Sequence, residues 1–147
     1  VPAQSIDVHE LAAVRLRAHG QRYTRSRRAI VDNLAATDAP VSIPQLLDRD
    51  PSLAQSSTYR NLTELEQAGV VHRIVTADEF SRYELAEDLT EHHHHLICSH
   101  CGDVQDFTVP PALEDDLDRA LDRIAAEHRF TSDNHRLDLI GTCATCL

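Results

Sequence analysis

A chain of 147 residues can bury one modest core or two small ones, and 41% hydrophobic residues suffices for a globular protein. With no Trp, no Met and 4% aromatic residues, the chain has no obvious platform for stacking bases. It also lacks any apolar run of about 18 residues, the length needed to span a membrane. The net charge of −10 argues against nucleic acid only until it is divided: residues 1–85 sum to −1 and residues 86–147 to −9. Arg15, Arg17, Arg22, Arg25, Arg27 and Arg28 form a basic stretch with no acid among them. A local patch matters more to a phosphate backbone than the global sum. The acidic half is suited to cations, whose charge offsets its own. The start, Val1 to Val8, lacks the basic and apolar blocks of a secretory signal. The expected location is the cytoplasm, where paired cysteines serve as metal ligands more often than as disulfides.

The first half reads as helices with short joints. Val8 to Ala18 carries a rough apolar face and ends before Gly20. Thr24 caps a second helix through about Ala36, with Ala29, Ile30, Leu34 and Ala35 at helical spacing. Ser42 caps a short third helix with Pro44 in its first turn, and Asp50-Pro51 ends it. Ser56 or Ser57 is the expected cap of a fourth helix, Thr58 to Ala68, stopped by Gly69. Two extended runs, Val70 to Thr76 and Ser81 to Leu85, are joined through Ala77 to Phe80 as a hairpin. Helices followed by a hairpin make a winged helix-turn-helix; an unrelated small helical bundle with a hairpin attached is the alternative.

Ala86 to Glu91 is a polar connector and the expected hinge. Beyond it, His94 to Cys98 and Val104 to Val109 read as strands. Pro110-Pro111 opens a helix from about Ala112 to His128, and His135 to Ile140 alternates as a last strand. The reading is α+β: a winged-helix unit over 1–85, a hinge over 86–91 and an α/β unit over 92–147. The last is too small for a stable core alone, so a zinc staple and a partner subunit are expected to support it.

Four cysteines fall in two CxxC pairs, Cys98/Cys101 and Cys143/Cys146. Two such pairs are the signature of a closed tetrathiolate zinc site, whereas a redox dithiol needs only one. Gly102 fits the turn after the first pair. Four histidines, His92 to His95, precede it. On a strand, alternate residues face opposite sides, so His93 and His95 point one way and His92 and His94 the other. One run can thus supply two metal sites.

Several motifs together resemble the ferric uptake regulator family over roughly residues 10–147. They are Ser57-Thr58-Tyr59-Arg60-Asn61-Leu62, Ser81-Arg82-Tyr83-Glu84-Leu85, the block from His92 to Gly102, and Cys143-Ala144-Thr145-Cys146. The resemblance implies a homodimeric, metal-responsive repressor with a C-terminal dimerisation unit. It implies regulatory ligands Glu84, His93, His95 and Asp106. A further family ligand, a histidine near the end of the second helix, falls at Ala39 or Pro40 and is absent; His72 is a plausible replacement. A second site is implied at His92, His94 and His135, with Glu114 if the Pro110-Pro111 insertion shifts the register. His9, His19, His100 and His128 carry no such argument.

Nitrogen and oxygen ligands without a thiolate suit Fe²⁺, Mn²⁺ or Zn²⁺. Ferrous iron is the first choice. Manganese, zinc and iron-dependent peroxide sensing follow, the last because relatives of that kind have an aspartate where Asp106 stands. The double-stranded operator is expected to meet the fourth helix by its N-terminal end: Ser57 and Thr58, with Tyr59 on a thymine methyl or phosphate and Arg60 on a phosphate or guanine. Arg22, Arg25, Arg27 and Arg28 are expected to grip the backbone. Two other classes, a metallohydrolase and a zinc-ribbon adaptor, fit the sequence less well. A metallohydrolase needs an open coordination position and a cleft, and no HExxH motif is present. A zinc-ribbon adaptor has no use for a winged helix or an arginine cluster.

Overall fold

The structure is a computed structural model and describes residues 7–77 and 80–147. Four helices open the chain: α1 Val8–Ala18, α2 Arg25–Ala35, α3 Ile43–Arg49 and α4 Gln55–Gln67. Local chemistry sets three of their starts. Asp7 accepts from the His9 N–H, Thr24 accepts from the Arg27 N–H, and Ser42 and Gln45 form a reciprocal capping box. The start of α4 differs from the expectation. It begins at Gln55 behind Ala54, which has no side chain able to cap. Ser57 instead donates its hydroxyl to the Ala54 carbonyl at 3.2 Å.

The helices bury Ala12, Leu16, Ile30, Val31, Leu34, Leu46, Leu62 and Leu65 against one another. Strands β1 Val71–Ile74 and β2 Arg82–Leu85 pair antiparallel, with His72 opposite Glu84. Two residues of the expected hairpin joint, 78 and 79, lie outside the described residues. Val41 and Tyr83 exchange backbone hydrogen bonds of 2.9 and 2.7 Å, which ties the loop after α2 to the wing. The chain then makes a 3₁₀ turn, Glu87–Leu89. Leu89 packs into the helical core, so the connector stays attached to the first unit as far as that residue.

The second unit is a three-stranded sheet, β4 Val104–Phe107, β3 His94–Cys98 and β5 Asp138–Gly141, with α5 Pro111–Glu127 between β4 and β5. Strand β3 is central, antiparallel to β4 and parallel to β5. His135 was expected in the last strand but lies three residues before β5. The buried apolar set here is Ile97 and Val104, joined by Ile74 from the wing. Helix α5 buries none of its residues, and Leu113 and Ile124 stand half exposed on it.

Candidate metal centres and nucleic-acid interface

The β3–β5 register pairs Cys98 with Gly141, which sets the two cysteine knuckles side by side. Gly102 adopts φ 75°, the left-handed conformation that suits glycine, and its N–H donates to the Cys98 carbonyl at 3.0 Å. The second knuckle closes through the Cys146 N–H on the Cys143 carbonyl at 3.0 Å. The four sulfurs lie within 4.8 Å of one another. Zn–S bonds of about 2.3 Å in a tetrahedron put sulfurs about 3.8 Å apart, and Cys101 Sγ and Cys143 Sγ are 3.8 Å apart. The backbone N–H groups of Cys101 and Cys143 hold the Cys98 thiol down at about 6. Hydrogen bonding with Cys143 and Cys101 pushes Cys146 up to about 12. Four thiolates in this space need a cation, and the donor set fits zinc.

A second cluster gathers Glu84, His93, His95 and Asp106, one ligand atom from each, within 4.8 Å. Glu84 comes from the wing, Asp106 from β4 opposite His95, and His93 and His95 from the histidine run. Glu84 Oε2 is 2.9 Å from His93 Nε2, and its Oε1 is 3.0 Å from His95 Nε2. Asp106 stands back at 3.8 Å from His93 and 3.7 Å from His95. Metal bonds of about 2.1 Å put neighbouring ligand atoms about 3.0–3.4 Å apart, so the donors already stand near the required spacing.

The outer ring nitrogens are occupied. His93 Nδ1 lies 2.8 Å from the Glu91 carbonyl and His95 Nδ1 lies 3.3 Å from Asp138 Oδ1. With a cation bound, such partners would fix the tautomer that turns the Nε2 lone pair inward. Burial opposes charge on Glu84, but hydrogen bonds from His95 and His93 outweigh it and lower its pKa. Burial raises Asp106. Desolvation disfavours the charged form of both carboxylates, and the two histidines offset it fully only at Glu84. His72 sits at the margin, its Nδ1 3.9 Å from Glu84 Oε1, outside the four-residue cluster. Burial lowers its pKa. Where the second-helix histidine is missing, Ala39 and the carboxylate of Asp38 line a cavity shared with Glu84, His93 and Asp106.

The third cluster is His92, His94, Glu114 and His135. Glu114 stands in the first turn of α5 and meets three imidazoles: His92 Nε2 at 2.8 Å, His94 Nε2 at 2.8 Å and His135 Nε2 at 2.7 Å. Hydrogen bonding from His94, then His92, holds Glu114 down at about 2 against burial. The His135 approach lacks hydrogen-bond geometry although that nitrogen is buried. All three Nε2 atoms converge on Glu114, and the one on His135 that lacks a hydrogen-bond partner is what a metal centre would use. Outer partners recur here: Asp118 lies 3.2 Å from His135 Nδ1, and Glu87 contacts His92 Nδ1. Sequence reasoning missed Asp138, Asp118 and Glu87. Asp118 alone carried a signal, one helical turn after Glu114.

Among the residues expected to meet DNA, Tyr59 is 47% exposed and Arg60, Arg22, Arg25 and Arg28 are exposed. Two residues depart from the expectation. Thr58 is buried and faces the core. Arg27 is buried too: its Nε donates to Asn61 Oδ1 at 3.0 Å and its Nη1 to Gln21 and the Arg22 carbonyl at 3.1 and 2.7 Å. It is a strut between α2 and α4, not a free phosphate grip. Outside these sites, His9 packs on Tyr23 with 2.5 Å between Nδ1 and the hydroxyl.

Comparison with known proteins identifies the family. The ferric uptake regulator family matches residues 18–140. The chain is 31% identical over 137 residues to the ferric uptake regulation protein of Campylobacter jejuni, covering 89% of this chain and 83% of that one. It is 31% identical over 153 residues to the peroxide-responsive repressor PerR of Staphylococcus aureus, covering 99% and 97%. The fold superposes on the Helicobacter pylori ferric uptake regulator, described as having three functional metal-binding sites, with TM-score 0.70 at 24% identity over 98% and 97% of the chains. The matched span takes in the winged helix, the histidine run and the first cysteine knuckle, and on that footing the chain belongs to the ferric uptake regulator family of metal-responsive transcriptional regulators.

Proposed function

We propose that this chain is a cytoplasmic repressor that binds double-stranded operator DNA as a homodimer when a divalent cation occupies the Glu84, His93, His95 and Asp106 cluster. Ferrous iron is the favoured cation, with Mn²⁺ and Zn²⁺ as alternatives; zinc at the four cysteines is structural. The proposed division is a DNA-binding unit over 1–85, a hinge over 86–91 and a dimerisation unit over 92–147. The observation that carries the reading is the position of Glu84: a wing residue whose carboxylate lies between His93 and His95 of the other unit. A cation there supplies the positive charge that lets two carboxylates and two neutral imidazoles share one point. Glu84 moves with the wing and α4, while His93, His95 and Asp106 move with the sheet. Holding them together fixes the angle between the units. Such a contact shifts DNA affinity only by its difference between the two arrangements. No described helix is long and apolar enough to cross a membrane.

A second copy is the proposed cover for α5. That helix has no buried residue, and Leu113 and Ile124 on it, Phe130 just beyond it and Ile140 on β5 are exposed. The unit's own core of Ile97 and Val104 is too small to stand without such support.

To test the reading, the zinc-loaded protein is titrated anaerobically onto a duplex selected from a random pool, with Fe²⁺, Mn²⁺, Zn²⁺ or Ni²⁺ added. One cation should tighten binding by about 5–150-fold. Equal affinity with and without every cation would refute it. Hydrogen peroxide that releases the duplex from the Fe²⁺ form but not the Mn²⁺ form marks peroxide sensing.

The arginines separate in a second test. Arg60→Ala should cost about 1–3 kcal/mol of binding, concentrated at one position of the duplex. Arg22→Ala should reduce the salt slope by about one on any sequence. Arg27→Ala should instead lower the melting temperature, because it strands buried partners at about 1–3 kcal/mol each. An unchanged melting temperature for Arg27→Ala would contradict its role as a strut.

A further inference from the structure

The short turn Glu87–Leu89 is held from both sides. On one side the Glu87 carboxylate contacts His92 Nδ1, while His92 Nε2 lies 2.8 Å from Glu114 in the third cluster. On the other side Asp88 meets the Arg15 guanidinium with both oxygens, Oδ1 at 3.2 Å from Nη1 and Oδ2 against Nη2. The same Nη1 donates to the Gly69 carbonyl at 2.7 Å. Gly69 directly follows the C-cap of α4 and turns the chain into the wing with φ 76°. Two further ties anchor the turn in the first unit: the Ala86 N–H on the Val70 carbonyl at 2.9 Å, and Leu89 buried in the helical core. Arg15, Glu87, Asp88, His92 and His135 all line one cleft of about 940 Å³ between the units.

We propose that this turn is a latch through which the His92, His94, Glu114 and His135 centre positions the C-terminal end of α4, with Glu87 and Arg15 as its positioning residues. The inference rests on the reading of that cluster as a metal centre. The physical argument is direct. An imidazole that gives its Nε2 lone pair to a cation becomes a stronger donor at Nδ1, and a carboxylate on that N–H orients the ring in turn. Glu87 is that carboxylate, and it is adjacent in sequence to Asp88. Ordering the Glu87 contact therefore orders the turn that presents Asp88 to Arg15. Arg15 holds the carbonyl at the junction of α4 and the wing. Helix α4 is packed into the first unit through Leu62 and Leu65, and the turn is where the chain leaves that unit for the sheet, so a connection at this point biases how the two are placed.

Coupling of this kind is reciprocal: if the centre acts on Arg15, then Arg15 must act on the centre. The test uses the full, zinc-loaded chain carrying Glu84→Ala and His93→Ala to silence the regulatory cluster. Co²⁺ is titrated and followed by its absorption. Glu87→Gln should weaken Co²⁺ binding by about tenfold. Arg15→Met, which removes no ligand, should weaken it by about three- to tenfold. The double variant should be no weaker than the weaker single variant, because both break one path. Hydrogen exchange gives a second readout: Co²⁺ should protect the Gly69 and Val70 amides in the parent but not in Glu87→Gln. An affinity indifferent to Arg15→Met, or Gly69 protection that survives Glu87→Gln, overturns the latch while leaving the centre intact. No Co²⁺ signal sensitive to His135→Ala overturns the centre and the latch with it.

Discussion

Cys98→Ser or Cys143→Ser will release one equivalent of tightly held zinc and dissolve the dimer in the same step. Each knuckle supplies two sulfurs, and the register of β3 against β5 brings the knuckles together. Cys101 and Cys143 stand 3.8 Å apart, already at the spacing of a tetrahedral zinc site. Zinc binding at such sites contributes on the order of 10 kcal/mol to folding. Little else holds this unit: its buried apolar set is Ile97 and Val104 with Ile74 from the wing, and α5 buries nothing. Loss of one thiolate therefore frees β5 and the chain end and disorders the face proposed to meet the second copy. Metal analysis and sedimentation of each variant check this together. A folded, monodisperse and zinc-free dimer would show that the thiolates are not the staple.

Glu84→Ala or His93→Ala will keep the zinc and the dimer but abolish the response of DNA binding to added cation. Neither residue touches the cysteine site. Glu84 Oε2 is 2.9 Å from His93 Nε2, and both belong to the cluster that joins wing to sheet. Removing either leaves a donor set split between units that no longer share a ligand point. The expected loss is the whole cation effect, about 5–150-fold in affinity, with residual binding at the cation-free level. Asp138→Ala should weaken the effect without abolishing it, since it only orients His95 through a 3.3 Å contact with Nδ1. Wild-type cation dependence in Glu84→Ala would rule out the bridge.

Local chemistry made much of the fold readable. Thr24 and Ser42 announce their helices because their side chains answer nearby backbone N–H groups. The start of α4 escaped because Ala54 offers no such group; packing of Thr58, Leu62 and Leu65 holds the first turns instead. Burial of Arg27 left a trace, for it falls in phase with Ile30, Val31 and Leu34 on the inner face of α2. An arginine there is easily taken for surface, since only long-range partners such as Asn61 make its burial tolerable. Alternation along a strand was enough to divide the four histidines into two sets. Asp138 and Glu87 were not legible, because their contacts depend on the parallel β3–β5 register and on the course of the connector.

The most direct test of the bridging centre is a closed thermodynamic cycle on one preparation. Mn²⁺ affinity of the zinc-loaded dimer is measured with and without the selected duplex, and duplex affinity with and without Mn²⁺. If Glu84, His93, His95 and Asp106 couple the units, both ratios must be equal and well above one, about 5–150-fold. In Glu84→Ala both must fall to one. A wild-type Mn²⁺ affinity that the duplex leaves unchanged would contradict the account, however tightly the protein binds either partner alone.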